Sequence, residues 1–363
     1  MSAWFLPLAW IYQGIMAIRN WLYDIGVFRS HGFPLPVICI GNLSMGGTGK
    51  TPHTEYLIRL LAGHGVKLAV LSRGYGRHTK GFRKVADSRS ADECGDEPWQ
   101  MAHAAECPQD VKFYVCENRV EGIHKLLEDT SPQAILLDDA FQHRRVKAGL
   151  NLLLTEYDRP YASDHVVPAG RLREGRKGAR RAQVILVTKC PEQLEPEVRE
   201  RMLRRLRPAP WQSVFFTRFS YGECRPLFPH LAQASPSAAT AGAPETALAL
   251  CGIARPRPFL SQVEKMFHHT LSLTFPDHHP FTPADIRKME RKAAGCCKVV
   301  TTEKDGARLT ALADCLPEAL KAKLWVLPIR VAFLHDEADT FNEIISRYVT
   351  ENTRNRRVDS VTH

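Results

Sequence analysis

Residues 41–51 read GNLSMGGTGKT. They follow PVICI at residues 36–40, an apolar run typical of a buried strand, and precede residues 54–61, whose apolar positions recur at helical spacing. A glycine-rich turn between a strand and a helix lets backbone N–H groups converge on phosphate oxygens, and the helix N-terminus favours negative charge. The stretch therefore predicts a phosphate-binding loop at the end of the first strand of an α/β sheet.

Each residue type in this loop has a distinct expected role. The general pattern G-x-x-x-x-G-K-[ST] places Lys50 against the β- and γ-phosphates of a nucleotide and the Thr51 hydroxyl on Mg²⁺. One position departs from the pattern, because Ser44 stands where it has glycine. A flexible turn without nucleotide is the alternative, and the strand and helix on either side favour nucleotide binding. The backbone expected to surround the phosphates is that of Gly46, Gly47, Thr48 and Gly49.

A second acidic element completes the expected nucleotide site. Residues 134–139 read AILLDD, four apolar residues that end in two carboxylates. This is the pattern of a Walker-B strand, with Asp138 near Mg²⁺. A strand that ends in a solvated Asp-Asp turn is the alternative, and the presence of the loop favours the metal site.

Apolar strand-like runs alternate with helical patterns along the rest of the chain. This alternation predicts an α/β fold with a mainly parallel sheet, in which ligands bind at the carboxyl ends of the strands. The chain has 363 residues, roughly two domains at ~150 residues each. We expect an N-terminal helix at 1–25, a nucleotide-binding domain at 26–150, a second α/β domain at 151–330, and a C-terminal helix and tail at 331–363. The further strand runs are 68–71, 111–115, 134–137, 152–155, 184–188, 248–251, 299–301 and 324–327.

Composition narrows the class of protein and its partners. Apolar residues at 44% and charged residues at 24% exclude a disordered chain, a collagen and a polytopic membrane protein. The net charge of +10 indicates an anionic partner: nucleic acid, acidic lipid or a phosphorylated substrate. Basic clusters at 171–181 and 199–207 lack the interleaved aromatics of a nucleic-acid groove, so we expect no nucleic-acid partner. Ten cysteines without a C-x-x-C pair favour a reduced, cytosolic compartment.

The N-terminus predicts contact with a membrane. Residues 3–18 carry no charge and are rich in aromatic and aliphatic side chains, but they fall short of the ~20 residues that span a bilayer. Pro7 and Gln13 also disfavour a spanning helix. Trp4, Trp10 and Trp21 suit the headgroup boundary, so we expect an interfacial helix. The alternative is an amphipathic helix packed on the protein's own core.

Taken together, nine motifs resemble the tetraacyldisaccharide 4'-kinases, the lipid A 4'-kinases of Gram-negative bacteria. In chain order they are GNLSMGGTGKTP, LSRGYGR, GDEP, ENRVEG, ILLDDAFQH, PAGRLRE, CGIARP, FPDHHPF and VVTTEKD, which run from residue 41 to residue 305. Ser44 fits this family's own version of the loop. The resemblance implies a three-layer α/β/α P-loop domain with a second, smaller α/β domain and a membrane-associated N-terminal helix. It also implies ATP-dependent phosphorylation of the 4'-hydroxyl of a tetraacyldisaccharide 1-phosphate, giving lipid IVA, at the cytoplasmic face of the inner membrane.

The same resemblance assigns roles that the residues alone do not. It implies that Asp96 is the base, that Glu97 and Asp138 lie near the metal, and that Asp139 assists metal or substrate. His278, chosen over His279, would orient Asp96 or relay its proton. Without the resemblance, Asp96 and Glu97 are typical of a solvated turn, and each arginine of a surface salt bridge. The implied substrate-side residues are Asn42, Arg73, Arg119, His143, Arg173 and Glu174.

The main alternative is a P-loop GTPase or ATPase that acts as a partner-switching or metal-insertion chaperone. It shares the GGTGKT core, but the guanine-reading N-K-x-D motif and Cys/His ligands near the loop are missing from the sequence. We expect ATP and Mg²⁺ as cofactors, a lipid disaccharide and an anionic membrane surface as partners, and no obligate protein partner.

Overall fold

The computed structural model describes residues 3–104, 106–231, 246–277 and 279–359, with side chains from 4 to 353 within these ranges. The chain divides into two compact units. Unit 1 comprises Met1–Asp87, Ala105–Phe219 and Val331–His363, and unit 2 comprises Ser88–Ala104 and Ser220–Arg330.

The strands within the described residues are as follows: β1 (Val37–Asn42), β2 (Leu68–Ser72), β3 (Arg83–Lys84), β4 (Lys112–Val115), β5 (Ala134–Asp138), β6 (Leu150–Glu156), β7 (Val184–Thr188), β8 (Ser213–Tyr221), β9 (Arg225–Pro226), β10 (Thr246–Cys251), β11 (His269–Thr274), β12 (Lys298–Thr302), β13 (Leu324–Leu327) and β14 (Ile329–Phe333). The α-helices are as follows: α1 (Leu6–Asp24), α2 (Lys50–Gly63), α3 (Ala91–Cys94), α4 (Asp96–His103), α5 (Arg119–Asp129), α6 (Pro196–Leu206), α7 (Arg257–Met266), α8 (Pro283–Ala293), α9 (Glu303–Ala311), α10 (Glu318–Lys321) and α11 (Ala338–Asp359).

The larger sheet has the order β14-β8-β7-β6-β1-β5-β2-β4-β3. Strand β1 lies at its centre and pairs in parallel with β5 and β6, Ile40 lying opposite Asp138 and Asn42 opposite Leu154. The central strands are buried on both faces, which is why they are near-continuous runs of Val, Ile and Leu. This register brings the carboxyl ends of β1, β5, β6 and β7 to one edge of the sheet, where the loop after β1 lies.

Unit 2 contains a five-stranded sheet of order β11-β10-β12-β13-β9. Its first four strands are parallel and β9 is antiparallel to β13. One core contains Leu250, Met289 and Val299, and a second contains Ala249, Phe259 and Val300. Alternate residues of β10 and β12 therefore belong to different cores, as expected for a sheet covered on both faces.

The unit boundaries differ from the predicted domain boundary at residues 150 and 151. Strands β6, β7 and β8 continue the sheet of β1 instead of starting a second one, so the chain up to Phe219 packs in unit 1. The segment Ser88–Ala104 belongs to unit 2, where α4 packs against α9. Asp96 and Glu97 therefore belong to unit 2, although strands of unit 1 precede and follow them along the chain.

Helix α1 presents an apolar surface to solvent. Trp4, just before it, is 91% exposed, and Trp10 and Ile15 within it are 67% and 60% exposed. The opposite side is fixed to unit 1 by hydrogen bonds from the Tyr12 hydroxyl to the Arg173 carbonyl (2.7 Å) and from the Asn20 amide to Glu174 (2.7 Å). Among the described residues, no helix has both the length and the apolar character needed to cross a bilayer.

The α/β fold with parallel sheets is confirmed, and all nine predicted strand runs are strands. The sequence analysis missed β3, β8, β9, β11 and β14. Of these, β3 and β9 have two residues each, and β11 is an edge strand with only Leu273 buried, so these strands lack the apolar run that marks a central strand.

Candidate active site

The phosphate loop begins where β1 ends at Asn42 and finishes where α2 begins at Lys50. Gly46 and Gly49 have φ of +107° and +89°, a left-handed conformation that side chains other than glycine rarely adopt. A Cβ on Gly49 would also lie 2.7 Å from Cζ of Phe219. The glycines are thus needed both for the turn and for the close approach of the β8 aromatic ring.

Lys50 lies in the first turn of α2 and is only 8% exposed. Its Nζ is 3.7 Å from Oδ2 of Asp139, whose carboxylate also accepts hydrogen bonds of 3.0 and 3.2 Å from Arg173. Burial favours a higher pKa for Asp139, but the charges of Lys50 and Arg173 outweigh it and hold this pKa below its usual value. The structure thus places two predicted site residues, Lys50 and Arg173, around the ionised carboxylate of a third, Asp139.

Asp138 ends β5 and is buried beside the loop. Its carboxylate accepts hydrogen bonds from Thr54 Oγ1 (3.2 Å) and Ser72 Oγ (3.3 Å). Thr51 lies in the first turn of α2 with a half-buried side chain. Carboxylate and hydroxyl oxygens are hard ligands of the kind that Mg²⁺ takes, so these two residues fit the predicted metal.

Asn42 and Arg119 are buried, and their side chains form hydrogen bonds with the phosphate loop and with the end of β5. Asn42 Nδ2 donates to Thr48 Oγ1 at 2.7 Å, and its Oδ1 has no hydrogen-bond partner in the part of the chain that the structure describes. Arg119, only 2% exposed, donates to the main-chain carbonyls of Cys116 (2.8 Å) and Asp138 (3.3 Å). These contacts position the loop and the end of β5, and the predicted contact of both residues with substrate stays a prediction.

Solvent exposure differs among three further predicted substrate residues, His143, Glu174 and Arg73. His143 Nε2 accepts the Arg119 backbone N–H at 3.3 Å, and burial and nearby arginines lower its pKa to about 4. Glu174 is buried and accepts hydrogen bonds from Arg181, at 2.7 and 2.8 Å. Arg73 follows β2 and is exposed. Among the six predicted substrate residues, Arg73 is therefore the most accessible cation.

In unit 2, Asp96 and Glu97 form the first turn of α4. The Asp96 carboxylate pairs with Arg308 of α9, and Arg308 also lies 3.3 Å from Oδ1 of Asp305. Asp305 is buried and accepts the Gly252 backbone N–H at 2.8 Å. Arg308 was not predicted from the sequence. An arginine one helical turn after the TEKD motif carries no signal by itself, and its contact with Asp96 depends on the packing of α4 against α9.

His278 lies outside the described residues, so its predicted role stays a prediction. His279 Nε2 is 3.0 Å from Oδ2 of Asp285, and its ring stacks on Phe275 at 4.9 Å. Asp285 closes the capping box of α8 with Thr282. His279 is thus engaged in the start of this helix.

A cavity of about 840 Å³ lies beside α1 in unit 1. It combines apolar surface from Ala17 and Trp21 with five cations, four of them from the predicted basic cluster at 171–181, and with the carboxylates of Asp24 and Asp164. The cations lining it are Arg144, Arg176, Lys177, Arg180 and Arg181. Such a lining suits an amphiphile with an anionic group.

Two polar residues that contact the phosphate loop, Thr188 and Lys189, were not predicted from the sequence. Lys189 Nζ pairs with the Gly47 carbonyl and Glu156, and Thr188 Oγ1 donates to the Thr48 carbonyl at 2.8 Å. A usable signal was present, because Thr188 and Lys189 come directly at the end of the predicted strand run 184–188, where a parallel sheet places its ligand-binding residues.

Comparison with known proteins decides between the two functions that the sequence predicts for such a site, a lipid A 4'-kinase and a P-loop chaperone. The sequence model of the family described as tetraacyldisaccharide-1-P 4'-kinase matches residues 1–350. The chain belongs to this family. Proteins named tetraacyldisaccharide 4'-kinase are 44% identical to it in Bacteroides thetaiotaomicron, over 97% of this chain and 94% of that protein, and 42% identical in Flavobacterium johnsoniae, over 95% and 96%.

A solved structure supports the same assignment. The crystal structure described as LpxK from Aquifex aeolicus in complex with ATP superposes with a TM-score of 0.70 at 28% sequence identity, over 95% of this chain and 98% of that chain. Family membership confirms the predicted enzyme class, a lipid A 4'-kinase, and decides against the chaperone alternative.

Proposed function

We propose that this tetraacyldisaccharide 4'-kinase family member transfers the γ-phosphoryl group of ATP to the 4'-hydroxyl of a tetraacyldisaccharide 1-phosphate, giving lipid IVA. The observation that carries the proposal is the grouping of Lys50 and Asp139 at the glycine-rich loop, beside the end of the acidic strand β5. Lys50 and the loop N–H groups bind and orient the phosphates. Phosphoryl transfer depends largely on such positioning and on charge neutralisation.

Magnesium fits the oxygen ligands that the chain offers. Thr51 and Asp138, both in unit 1, would hold the ion, and a role of Glu97 near the metal rests on the family resemblance alone. When bound, Mg²⁺ neutralises charge that develops on the phosphate oxygens. Asp139 keeps a separate role, since it is paired with Lys50 and Arg173 and fixes both cations in place.

Proton removal is assigned to Asp96. An ionised carboxylate can accept the proton of the attacking 4'-hydroxyl, and the neighbouring guanidinium of Arg308 favours the ionised form. His278 orients Asp96 or passes its proton to solvent. The engagement of His279 with Asp285 supports the choice of His278 for this role.

The lipid substrate is assigned to the surface of unit 1 around α1. The 1-phosphate is an anion, and Arg176, Lys177 and Arg180 line the cavity there. Arg73 supplies a further exposed cation for the disaccharide. The remaining predicted substrate residues would position the site. Asn42, Arg119 and His143 do so through hydrogen bonds within unit 1. Arg173 and Glu174 do so through ion pairs with Asp139 and Arg181.

Helix α1 holds the enzyme at the cytoplasmic face of the inner membrane. The exposed side chains on and beside it would bury apolar area in the interface, and a fully buried large side chain contributes about 1.5–3 kcal/mol. Basic residues near the cavity add attraction to anionic headgroups. The exposed apolar residues are Trp4, Phe5, Leu8, Trp10, Ile11, Ile15, Ile18 and Trp21.

The direct test is an assay of phosphate transfer by the full chain in detergent micelles. With ATP labelled at the γ-phosphate, we expect label at the 4'-position of the disaccharide lipid and loss of transfer when EDTA removes Mg²⁺. GTP in place of ATP and lipid lacking the free 4'-hydroxyl are the controls. ATP hydrolysis without lipid phosphorylation would contradict the proposal.

A further inference from the structure

Three consecutive carbonyl groups of the phosphate loop are each bound by a side chain. The Gly47 carbonyl accepts from Lys189 Nζ, and the Thr48 carbonyl accepts from Thr188 Oγ1 at 2.8 Å. The Gly49 carbonyl lies 2.8 Å from Nδ1 of His53.

The three donors come from rigid parts of unit 1. Thr188 is the last residue of β7, and Lys189 follows it with φ of +59° and is also paired with Glu156 at the end of β6. His53 lies one turn into α2 and is 3% exposed. The donors therefore come from two elements, the end of β7 and the first turns of α2.

The contacts of His53 determine which ring nitrogen carries the proton. A carbonyl oxygen only accepts, so Nδ1 carries the hydrogen that it donates to Gly49. Nε2 is then the acceptor for the Thr217 hydroxyl of β8, 3.0 Å away. Burial lowers the pKa of His53 to about 4, so the ring is neutral at physiological pH and this tautomer persists.

Fixing these carbonyls also fixes the N–H groups of the loop. In a trans peptide the C=O of one residue and the N–H of the next point in opposite directions. Holding the carbonyls of Thr48 and Gly49 from the protein side therefore turns the N–H groups of Gly49 and Lys50 toward the opposite side. Converging N–H groups at a helix N-terminus are what an anion requires.

We propose that Thr188, Lys189 and His53 form a carbonyl clamp that holds the loop in its phosphate-binding conformation before ATP arrives. They are positioning residues for the nucleotide, and the inference rests on the proposed use of this loop by ATP. A loop that is already ordered loses less conformational entropy on binding, so the clamp lowers the KM for ATP.

The test compares variants that remove one donor at a time with variants that keep it. Thr188→Val and His53→Leu each remove a hydrogen bond, whereas His53→Asn places an amide N–H close to the position of Nδ1. We expect Thr188→Val and His53→Leu to raise the KM for ATP about 3–10-fold, the range that one hydrogen bond supplies, with kcat within about twofold of wild type. His53→Asn should recover most of the loss.

Thr301→Val is the matched control, because the Thr301 hydroxyl is buried in unit 2 and has no hydrogen-bond partner among the described residues. It should leave the KM for ATP unchanged. Wild-type KM values in Thr188→Val and His53→Leu, with or without a lower Tm, would overturn the clamp while leaving the kinase function intact. If His53→Leu does not fold, Thr188→Val and Lys189→Met decide. Absence of lipid phosphorylation by the wild type would instead refute the proposed function.

Discussion

The surroundings of Asp139 in unit 1 and Asp96 in unit 2 differ in their balance of charge. Asp139 lies between two cations, Lys50 and Arg173. In unit 2, by contrast, Arg308 pairs with two carboxylates, those of Asp96 and Asp305. The two cations beside Asp139 suit binding of a polyphosphate. Under the proposed function, in which Asp96 accepts the proton, the two units carry chemically different parts of one phosphoryl transfer.

The largest effect is expected from removing the proton acceptor of unit 2. Asp96→Asn keeps the size of the side chain but abolishes its basicity, so kcat should fall about 10²–10⁴-fold while the KM for ATP changes little. Steady-state kinetics with the lipid in micelles measure both. Asp314→Asn, an exposed aspartate of the same unit, is the control. Near-wild-type turnover in Asp96→Asn would remove this residue from the mechanism.

A somewhat smaller effect is expected in unit 1. Lys50→Met deletes the charge nearest the phosphates, and loss of one such group typically costs about 10²–10³-fold in kcat. Here the KM for ATP should rise as well, which distinguishes the two units kinetically. Lys67→Met replaces an exposed lysine of unit 1 and should behave as wild type. An unchanged KM and kcat in Lys50→Met would contradict the assignment of the loop.

Arg308 tests whether the partner of Asp96 matters to the reaction. Arg308→Met should lower kcat about tenfold, roughly 1.4 kcal/mol in the barrier, because Asp96 loses the ion pair that orients its carboxylate. Arg308→Lys should restore part of the rate, since it keeps the charge without the planar fork. Equal losses of kcat in both variants would show that Arg308 acts by maintaining the fold and not through its positive charge.

Helix α1 contributes no side chain to the charged groups around Asp139 and Asp96. Substituting one of its exposed residues should therefore affect membrane binding alone. Trp10→Glu should lower partitioning onto anionic vesicles about tenfold or more and leave turnover in micelles close to wild type. Trp211→Glu is the matched control, because Trp10 and Trp211 are 67% and 60% exposed and both lie in unit 1. Equal partitioning of the two variants would refute the interfacial role of α1.

The smallest effect concerns acid stability. Buried His53 and half-buried His143 have pKa values lowered from 6.5 to about 4, so the unfolded chain binds more protons than the native one between these values. The free energy of unfolding should therefore fall as the pH drops from about 6.5 to 4. His53→Asn removes one of the two groups and should flatten this dependence in denaturant titrations at pH 7 and pH 5. An unchanged slope would contradict burial of the neutral ring.

The sequence predicted the parts of the site that depend on local pattern. The loop at 41–51 and the acidic strand ending at Asp138 follow from chain-adjacent residues, and the structure places both at one sheet edge. It did not predict contacts that require a particular packing. His53 reaches Thr217 across 164 residues, Arg308 reaches Asp96 across 212, and α4 joins unit 2 from within the sequence of unit 1. Nor did the sequence predict that Arg119 is buried and donates to the Asp138 carbonyl at the end of β5.

The division of chemistry between the units is tested most directly by measuring ATP binding to two inactive variants. Titration calorimetry with ATP and Mg²⁺ in micelles, without lipid, separates binding from turnover. If unit 1 binds the nucleotide and Asp96 only accepts the proton, Asp96→Asn should bind ATP within about twofold of wild type, whereas Lys50→Met should bind at least about tenfold more weakly. Loss of ATP affinity in Asp96→Asn as large as in Lys50→Met would contradict the division.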